Sequence, residues 1–257
     1  MTPSAIQISD LKKSFKADGG RLDVLDGVSL SVNPGEFVSI LGPSGCGKST
    51  IFGLLAGIEE PDHGEILIGN QPAGRDRPFA WMPQRDVLLP WRTVRDNIAL
   101  GAEVAAGKSK AEARATADSL LGEFGLSGFA DSRPFQLSGG MRQRAALART
   151  VAQGRGVLLL DEPFGALDSL TRTELQLWLE QVRAHEQWTV VLITHDVREA
   201  VLLSDRVYVL SERPARVITE LEIDLARPRN VDTLANPKAA ELETQLLHAL
   251  HVGEPTG

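Results

Sequence analysis

Eight residues constrain this chain more than any others: Gly42-Pro43-Ser44-Gly45-Cys46-Gly47-Lys48-Ser49. They fit the phosphate-loop pattern G-x-x-x-x-G-K-[ST] at every fixed position. An apolar run, Phe37-Val38-Ser39-Ile40-Leu41, precedes them, and Ser49-Thr50-Ile51-Phe52 can open a helix. Such a strand–loop–helix unit aims backbone N–H groups and the positive end of a helix at one point. The glycines let the loop wrap tightly enough for those groups to face phosphate oxygens. Lys48 would reach the β- and γ-phosphates of a nucleotide, and the Ser49 hydroxyl would hold Mg²⁺. Gly42, Pro43, Ser44, Gly45, Cys46, Gly47, Lys48, Ser49 and Thr50 are therefore the candidate nucleotide-binding set. The bland alternative is a glycine-rich turn with a chance lysine; the agreeing flanks disfavour it.

Two more short apolar runs, Val157-Leu158-Leu159-Leu160 and Thr189-Val190-Val191-Leu192-Ile193, read as buried parallel strands. The stretch from about Ile6 to Leu41, with Gly64 to Gly69, alternates more. It contains the turns Asp18-Gly19-Gly20 and Asn33-Pro34-Gly35, which predicts antiparallel strands. From about Val94 to Phe124 the chain reads as helical. Ser109 and Glu112 have capping-box spacing, Ala113, Ala117, Leu120, Leu121 and Phe124 share a face, and Gly125 can close the helix. Asp196 with Glu199 marks another helix start. Ala239 to Leu250 predicts a packed helix through Leu242, Leu246, Leu247 and Leu250, followed by a frayed tail, Gly253-Glu254-Pro255-Thr256-Gly257. The fold class is α/β.

Composition narrows the function. The 257 residues are 42% hydrophobic and 24% charged, which is ordinary for a globular protein. A net charge of −7 argues against the broad basic surface that nucleic-acid binding needs. Cys46 alone cannot form an internal disulfide, and Met1-Thr2-Pro3-Ser4-Ala5 lacks signal-peptide character. No apolar run approaches the roughly 20 residues of a membrane-spanning helix, so work at a membrane would go through a partner.

After Val157-Leu158-Leu159-Leu160 come two adjacent carboxylates, Asp161 and Glu162. Ligands of open parallel sheets sit at the carboxyl ends of the strands. There Asp161 can support Mg²⁺, and Glu162 can polarise the water that attacks the γ-phosphate. Without the upstream loop, the pair would read equally as a solvated turn. His195 follows a strand at the same face, which favours a functional role; either protonation state could bond a phosphate. His63, His185, His248 and His251 lack such context, and no pair has convincing metal-ligand spacing. Trp81, Trp178 and Trp188 read as packing residues.

A third element separates the phosphate-loop classes. Leu137-Ser138-Gly139-Gly140-Met141 precedes Arg142-Gln143-Arg144-Ala145-Ala146-Leu147-Ala148-Arg149. It resembles the signature motif of the ATP-binding cassette (ABC) family, Leu-Ser-Gly-Gly-Gln followed by a basic helix, with Met141 in place of Gln. Ser138 can cap the helix, and the two glycines allow close phosphate approach. The resemblance implies that this helix tip faces the nucleotide of the other subunit. Gln84, in Met82-Pro83-Gln84-Arg85, resembles the Q-loop, which senses Mg²⁺ and the γ-phosphate and contacts the membrane partner. Gly165-Ala166-Leu167-Asp168 resembles the D-loop and places Asp168 at a dimer interface. His195 resembles the switch histidine. Phe15 stands where the family has an adenine-stacking aromatic, usually Tyr; a core Phe is the alternative.

The resemblance thus implies a catalytic set of Glu162, His195, Lys48 and Gln84 and a metal set of Ser49, Gln84 and Asp161, with ATP and Mg²⁺. It implies a P-loop (RecA-like) core with an antiparallel β lobe and an α-helical signature lobe. The ABC ATPase domain would cover 6–236, with the helical lobe at about 86–153, and 237–257 would be a C-terminal helix and tail. Leu88-Leu89-Pro90-Trp91-Arg92-Thr93-Val94-Arg95-Asp96-Asn97, the stretch from Asp205 to Val217 and Ala226-Arg227-Pro228-Arg229 resemble the ATPases of bacterial nitrate, aliphatic sulfonate and taurine importers. Pro90-Trp91 could equally be only a packed turn. The expected partners are a second copy of the chain, transmembrane permease subunits and, indirectly, a solute-binding protein, with no nucleic acid. The expected location is peripheral, at the cytoplasmic face of the inner membrane. The rivals are a soluble ABC ATPase without a transport role, an ABC importer for an unrelated solute, a P-loop kinase or GTPase, and a non-enzymatic binding module.

Overall fold

The computed structural model describes residues 4–17, 20–73, 79–185 and 188–252. Asp18-Gly19 of the first expected turn and the tail 253–257 lie outside them. In chain order the elements are β1 (Ile6–Ala17), β2 (Gly20–Val32), β3 (Phe37–Leu41), α1 (Lys48–Ala56), β4 (His63–Ile68), β5 (Gln71–Pro72) and β6 (Phe79–Met82). There follow α2 (Val94–Ala105), α3 (Lys110–Glu123), α4 (Gly139–Val151), β7 (Val157–Asp161), α5 (Ser169–His185), β8 (Thr189–Ile193) and α6 (Val197–Leu203). The chain closes with β9 (Arg206–Leu210), β10 (Val217–Glu222), α7 (Val231–Leu234) and α8 (Pro237–Val252).

The strands form two sheets. One is antiparallel, in the order β2-β1-β4-β5. The other runs β10-β9-β3-β8-β7-β6; all its neighbours pair in parallel except the edge strand β10. The three apolar runs are β3, β7 and β8, buried at every position. A strand covered on both faces has no polar side to alternate with, hence its continuous apolar sequence. Side chains still divide by face. Phe37, Leu158, Leu160, Val190 and Leu192 pack with the helical segment through Val94, Ile98, Leu121 and Phe124. Val38, Ile40, Val157, Leu159, Val191 and Ile193 pack with α1 and with Ile6, Ile8 and Leu11 of the antiparallel sheet. The parallel sheet therefore stands between the two lobes.

The antiparallel pattern stops at Val32, and Phe37–Leu41 belongs to the parallel sheet. The expected helical stretch is two helices. Ser109 caps α3 with a full capping box, its side chain accepting from the Glu112 N–H while the Glu112 carboxylate accepts from Ser109. Asp196 caps α6 through the N–H groups of Arg198 and Glu199. Helix α8 buries Leu242 and Leu246 and half-buries Leu250, but Leu247 is exposed, on the far side of the turn from the packed stripe. The stretch before α8 is bound into the body by two arginines. Arg227 pairs with Glu180 and Asp205, and buried Arg229 donates to the carbonyls of Val201, Ser204 and Ile223. Those carbonyls include the open end of α6, whose last C=O groups lack helical partners.

Of the tryptophans, Trp188 is buried and Trp178 meets Phe124 edge-on at 4.6 Å between centroids. Trp91 differs: its indole is 68% exposed. The backbone of its turn is nonetheless fixed, because the buried Asn97 amide donates to the carbonyls of Leu89, Arg92 and Thr93.

Candidate nucleotide site

The parallel strands bring their carboxyl ends to one edge of the sheet, and each end supplies a different group. β3 runs into the loop 42–47 and then α1. Gly45 and Gly47 have φ of +75° and +128°, values that side chains disfavour. At Gly47 a Cβ would also lie 2.9 Å from Val24 and Leu25. The glycines are thus required by backbone angle and by the close passage of β2. Lys48 is buried, and its ammonium donates to the carbonyls of Gly42 at 2.7 Å and Pro43 at 2.9 Å. Three donors leave one for a phosphate oxygen without breaking the loop.

β7 ends in buried Asp161 and less buried Glu162. Burial and the adjacent Glu162 charge raise the Asp161 pKa to about 6, opposed by a hydrogen bond from Ser49 and by the Lys48 charge. Glu162 has a φ of 45°, rare for a residue with a side chain. The conformation is held by its N–H, which donates to the Ile193 carbonyl at 2.9 Å. It turns the carboxylate toward the neighbouring strand ends. Gln84, beyond β6, donates to Glu162 Oε2 at 3.0 Å, and His195 Nδ1, beyond β8, lies 3.5 Å from the same oxygen.

The antiparallel sheet supplies the opposite wall. Phe15, Leu22 and Val24 face the loop across a cleft of about 650 Å³ that also reaches Ser44, Thr50, Glu162 and His195. Phe15 packs at the margin of the antiparallel core and also lines the cleft, with Lys13 Nζ 5.1 Å from its ring centroid. Leu22, Val24 and Arg213 were not singled out from the sequence; the strand-end rule that finds His195 also points to the turn after β9. Cys46 is buried beneath the loop, where burial pushes its thiol pKa up.

The signature residues are built as a helix tip. Ser138 caps α4, its Oγ accepting from the Met141 N–H at 3.3 Å. Met141 packs half-buried on the main core. A Cβ on Gly140 would collide with Thr171 of α5. None of Leu137, Ser138, Gly139, Gly140 and Met141 lines the cleft of its own chain. Asp168 accepts from the Thr171 N–H at 3.0 Å, which steadies the start of α5 and holds its carboxyl below the usual range. Gln143 of α4 donates to the Pro163 carbonyl, linking the signature helix to the residue after Glu162. His63, His248 and His251 are exposed and away from the cleft, and the side chain of His185 lies outside the described residues.

A phosphate loop, paired carboxylates and two polar residues at adjacent strand ends define a P-loop nucleotide hydrolase. The chain belongs to the ABC transporter family: the family model of that description matches residues 25–165. It is an ABC ATPase. The ABC transporter ATP-binding protein MJ0412 of Methanocaldococcus jannaschii is 43% identical over 88% of this chain and 84% of its own length. The bicarbonate transport ATP-binding protein CmpC of Synechocystis sp. is 42% identical over 96% of this chain and 38% of its own. The nitrate import ATP-binding protein NrtC of Synechococcus elongatus is 44% identical over 90% and 36%. The chain thus spans little more than a third of these last two. Among solved structures, the dimeric cassette MJ0796 superposes with a TM-score of 0.74 at 32% identity, over 85% of this chain and 98% of that one. A post-hydrolysis dimer of the same cassette, bound to ADP and Pi, superposes equally well.

Proposed function

We propose that this chain is the ATP-hydrolysing subunit of an importer for a small anion, working as a homodimer beneath a separate membrane permease. The observation that carries the dimer is that the capped, glycine-opened tip at Ser138 does not line the cleft that Lys48 lines. A second copy would bring its tip to the first copy's phosphate loop, and symmetry would make two such sites. The dimeric form of the MJ0796 cassette supports this.

In this reading the loop 42–47, Lys48, Ser49 and Thr50 bind the triphosphate, and Phe15 stacks on the base. The Ser49 hydroxyl and the Asp161 carboxylate fit Mg²⁺, with Gln84 close by. The buried, desolvated Asp161 carboxyl is what a divalent cation would stabilise. Among the described residues no cluster of three or more acidic, His or Cys side chains offers a full protein cage. That suits a cation held largely by phosphates and water. Held there by Ser49 and Asp161, a divalent cation would supply charge neutralisation for the phosphates. Glu162 orients and deprotonates the attacking water, Gln84 and His195 position the Glu162 carboxylate, and His195 donates to the γ-phosphate. Asp168 and the signature residues form the interface. The domain assignment follows: ATPase over 6–236, helical lobe at about 86–153, C-terminal helix from 237.

Among the described residues no helix is long and apolar enough to cross a membrane. A peripheral position at the cytoplasmic face, on permease subunits served by a solute-binding protein, is the corresponding location. Two of the named relatives are described as a nitrate import and a bicarbonate transport ATP-binding protein, and the stretch around Trp91 resembles nitrate, sulfonate and taurine systems. Small oxyanions are therefore the proposed cargo class. Mixing Ser138→Arg chains with Lys48→Ala chains tests the shared site. Each alone should hydrolyse no ATP; the mixture should recover about one working site in each mixed dimer. No recovery would contradict it.

A further inference from the structure

The turn between β9 and β10 borders the nucleotide cleft. β9 pairs in parallel with β3, so the residues after β9 lie beside the loop that follows β3. There Arg213 is exposed and lines the cleft with Lys48, Phe15 and His195. Its Nη2 would lie 3.4 Å from a Cβ on Gly45, so the guanidinium rests against the crest of the phosphate loop. Neighbouring arginines are committed elsewhere: Arg206 to Glu36 and Glu220, Arg216 to Asp26, Arg227 to Glu180 and Asp205. Among the described residues the Arg213 guanidinium has no hydrogen-bond or ion-pair partner.

The backbone that carries it is not loose. The Ala215 N–H donates to the Val24 carbonyl at 2.8 Å, and the Asp26 N–H donates to the Ala215 carbonyl at 3.0 Å. Ser211 and Arg216 close the turn through the Ser211 N–H and Oγ. The turn is thus stitched to β2, the strand that supplies Leu22 and Val24 to the opposite wall. A guanidinium on a fixed stalk, with its donors unpaired among the described residues and beside a phosphate cradle, matches phosphate geometry better than a solvated surface role.

We propose that Arg213 is a second phosphate-binding cation of this site, gripping the phosphate chain over Gly45 from the side opposite Lys48. It rests on the nucleotide reading of the cleft. The grip is made in the ground state, so it acts on affinity for ATP and ADP alike and little on the hydrolytic step. The experiment titrates MgATP and MgADP into full-length wild type, Arg213→Met and Arg213→Lys at low and high salt, with steady-state ATPase rates alongside. Arg213→Met keeps most of the stem and removes the charge. It should bind both nucleotides about tenfold more weakly. Its affinity should depend less on salt, and kcat should stay within about twofold. Arg213→Lys should recover part of the affinity. Thermal unfolding of Arg213→Met should match wild type, since among the described residues the side chain has no partner to lose. Wild-type affinity in Arg213→Met, or an unaltered salt dependence, would overturn the assignment while leaving the site intact. Failure of wild type itself to bind either nucleotide would overturn the site and the assignment together.

Discussion

The Gln84 amide donates to Oε2 of the Glu162 carboxylate at 3.0 Å across 78 positions of sequence. The contact exists because β6 and β7 are parallel neighbours and both end at the site. Its other half is the left-handed φ of Glu162, which turns the carboxylate to meet the amide. Replacing Glu162 by Gln removes the base but keeps the shape. Glu162→Gln should bind ATP as wild type and lose about 10²-fold or more in kcat. Single-turnover hydrolysis at saturating ATP checks this. Gln84→Ala should cost less, because it removes only an orienting bond.

Lys48 gives a different signature. Its ammonium bridges the carbonyls of Gly42 and Pro43, so it shapes the loop before any ligand arrives. Lys48→Ala removes a buried cation and leaves both carbonyls short of a donor. Nucleotide affinity should fall by about tenfold or more. Equilibrium binding of MgATP measures it.

Asp161 sets a pH dependence. Its pKa is raised to about 6 by burial and by Glu162. Protons and a divalent cation compete for the same carboxylate, so the Mg²⁺ requirement of ATP hydrolysis should rise as pH falls through about 6. Asp161→Asn should need far more Mg²⁺ at every pH and lose that dependence. Mg²⁺ titrations at pH 5.5 and 7.5 compare the two.

Glu199 contributes to stability with the opposite sign to a paired carboxylate. It is buried against α5, with Gln176 donating at 3.1 Å, and burial followed by the Asp196 charge raises its pKa to about 8. The folded pKa exceeds the unfolded one. Its stability contribution is therefore greatest below the unfolded value and declines as pH rises toward the folded value. Glu199→Gln should gain thermal stability relative to wild type at pH 8 and little at pH 5. Unfolding curves at the two pH values show it.

The sequence shows those features whose cause is local. The run Val157–Leu160 with Asp161-Glu162 is local, because a doubly covered strand has to be apolar throughout and its end is where chemistry sits. The capping pairs at Ser109 and Asp196 are local as well. The exposure of Leu247 was not legible: helical spacing puts it beside Leu246, and only the seat of α8 on α6 decides which of the two faces inward. Arg213 was hidden for a similar reason. The strand-end rule points to the turn after β9, but that Arg213 meets the phosphate loop depends on β9 inserting beside β3, a tertiary fact. Asp168 was singled out by resemblance alone, and its bond to the Thr171 N–H adds a local duty at the start of α5.

On the proposed reading, ATP joins two copies of the chain. Light scattering of full-length Glu162→Gln with saturating MgATP, at low and high salt, tests it most directly. The expected mass is near twice that of one chain, and it reverts to that of a single chain when Ser138→Arg is added to the same polypeptide. A nucleotide-loaded Glu162→Gln that stays monomeric, even on addition of its permease, would contradict it.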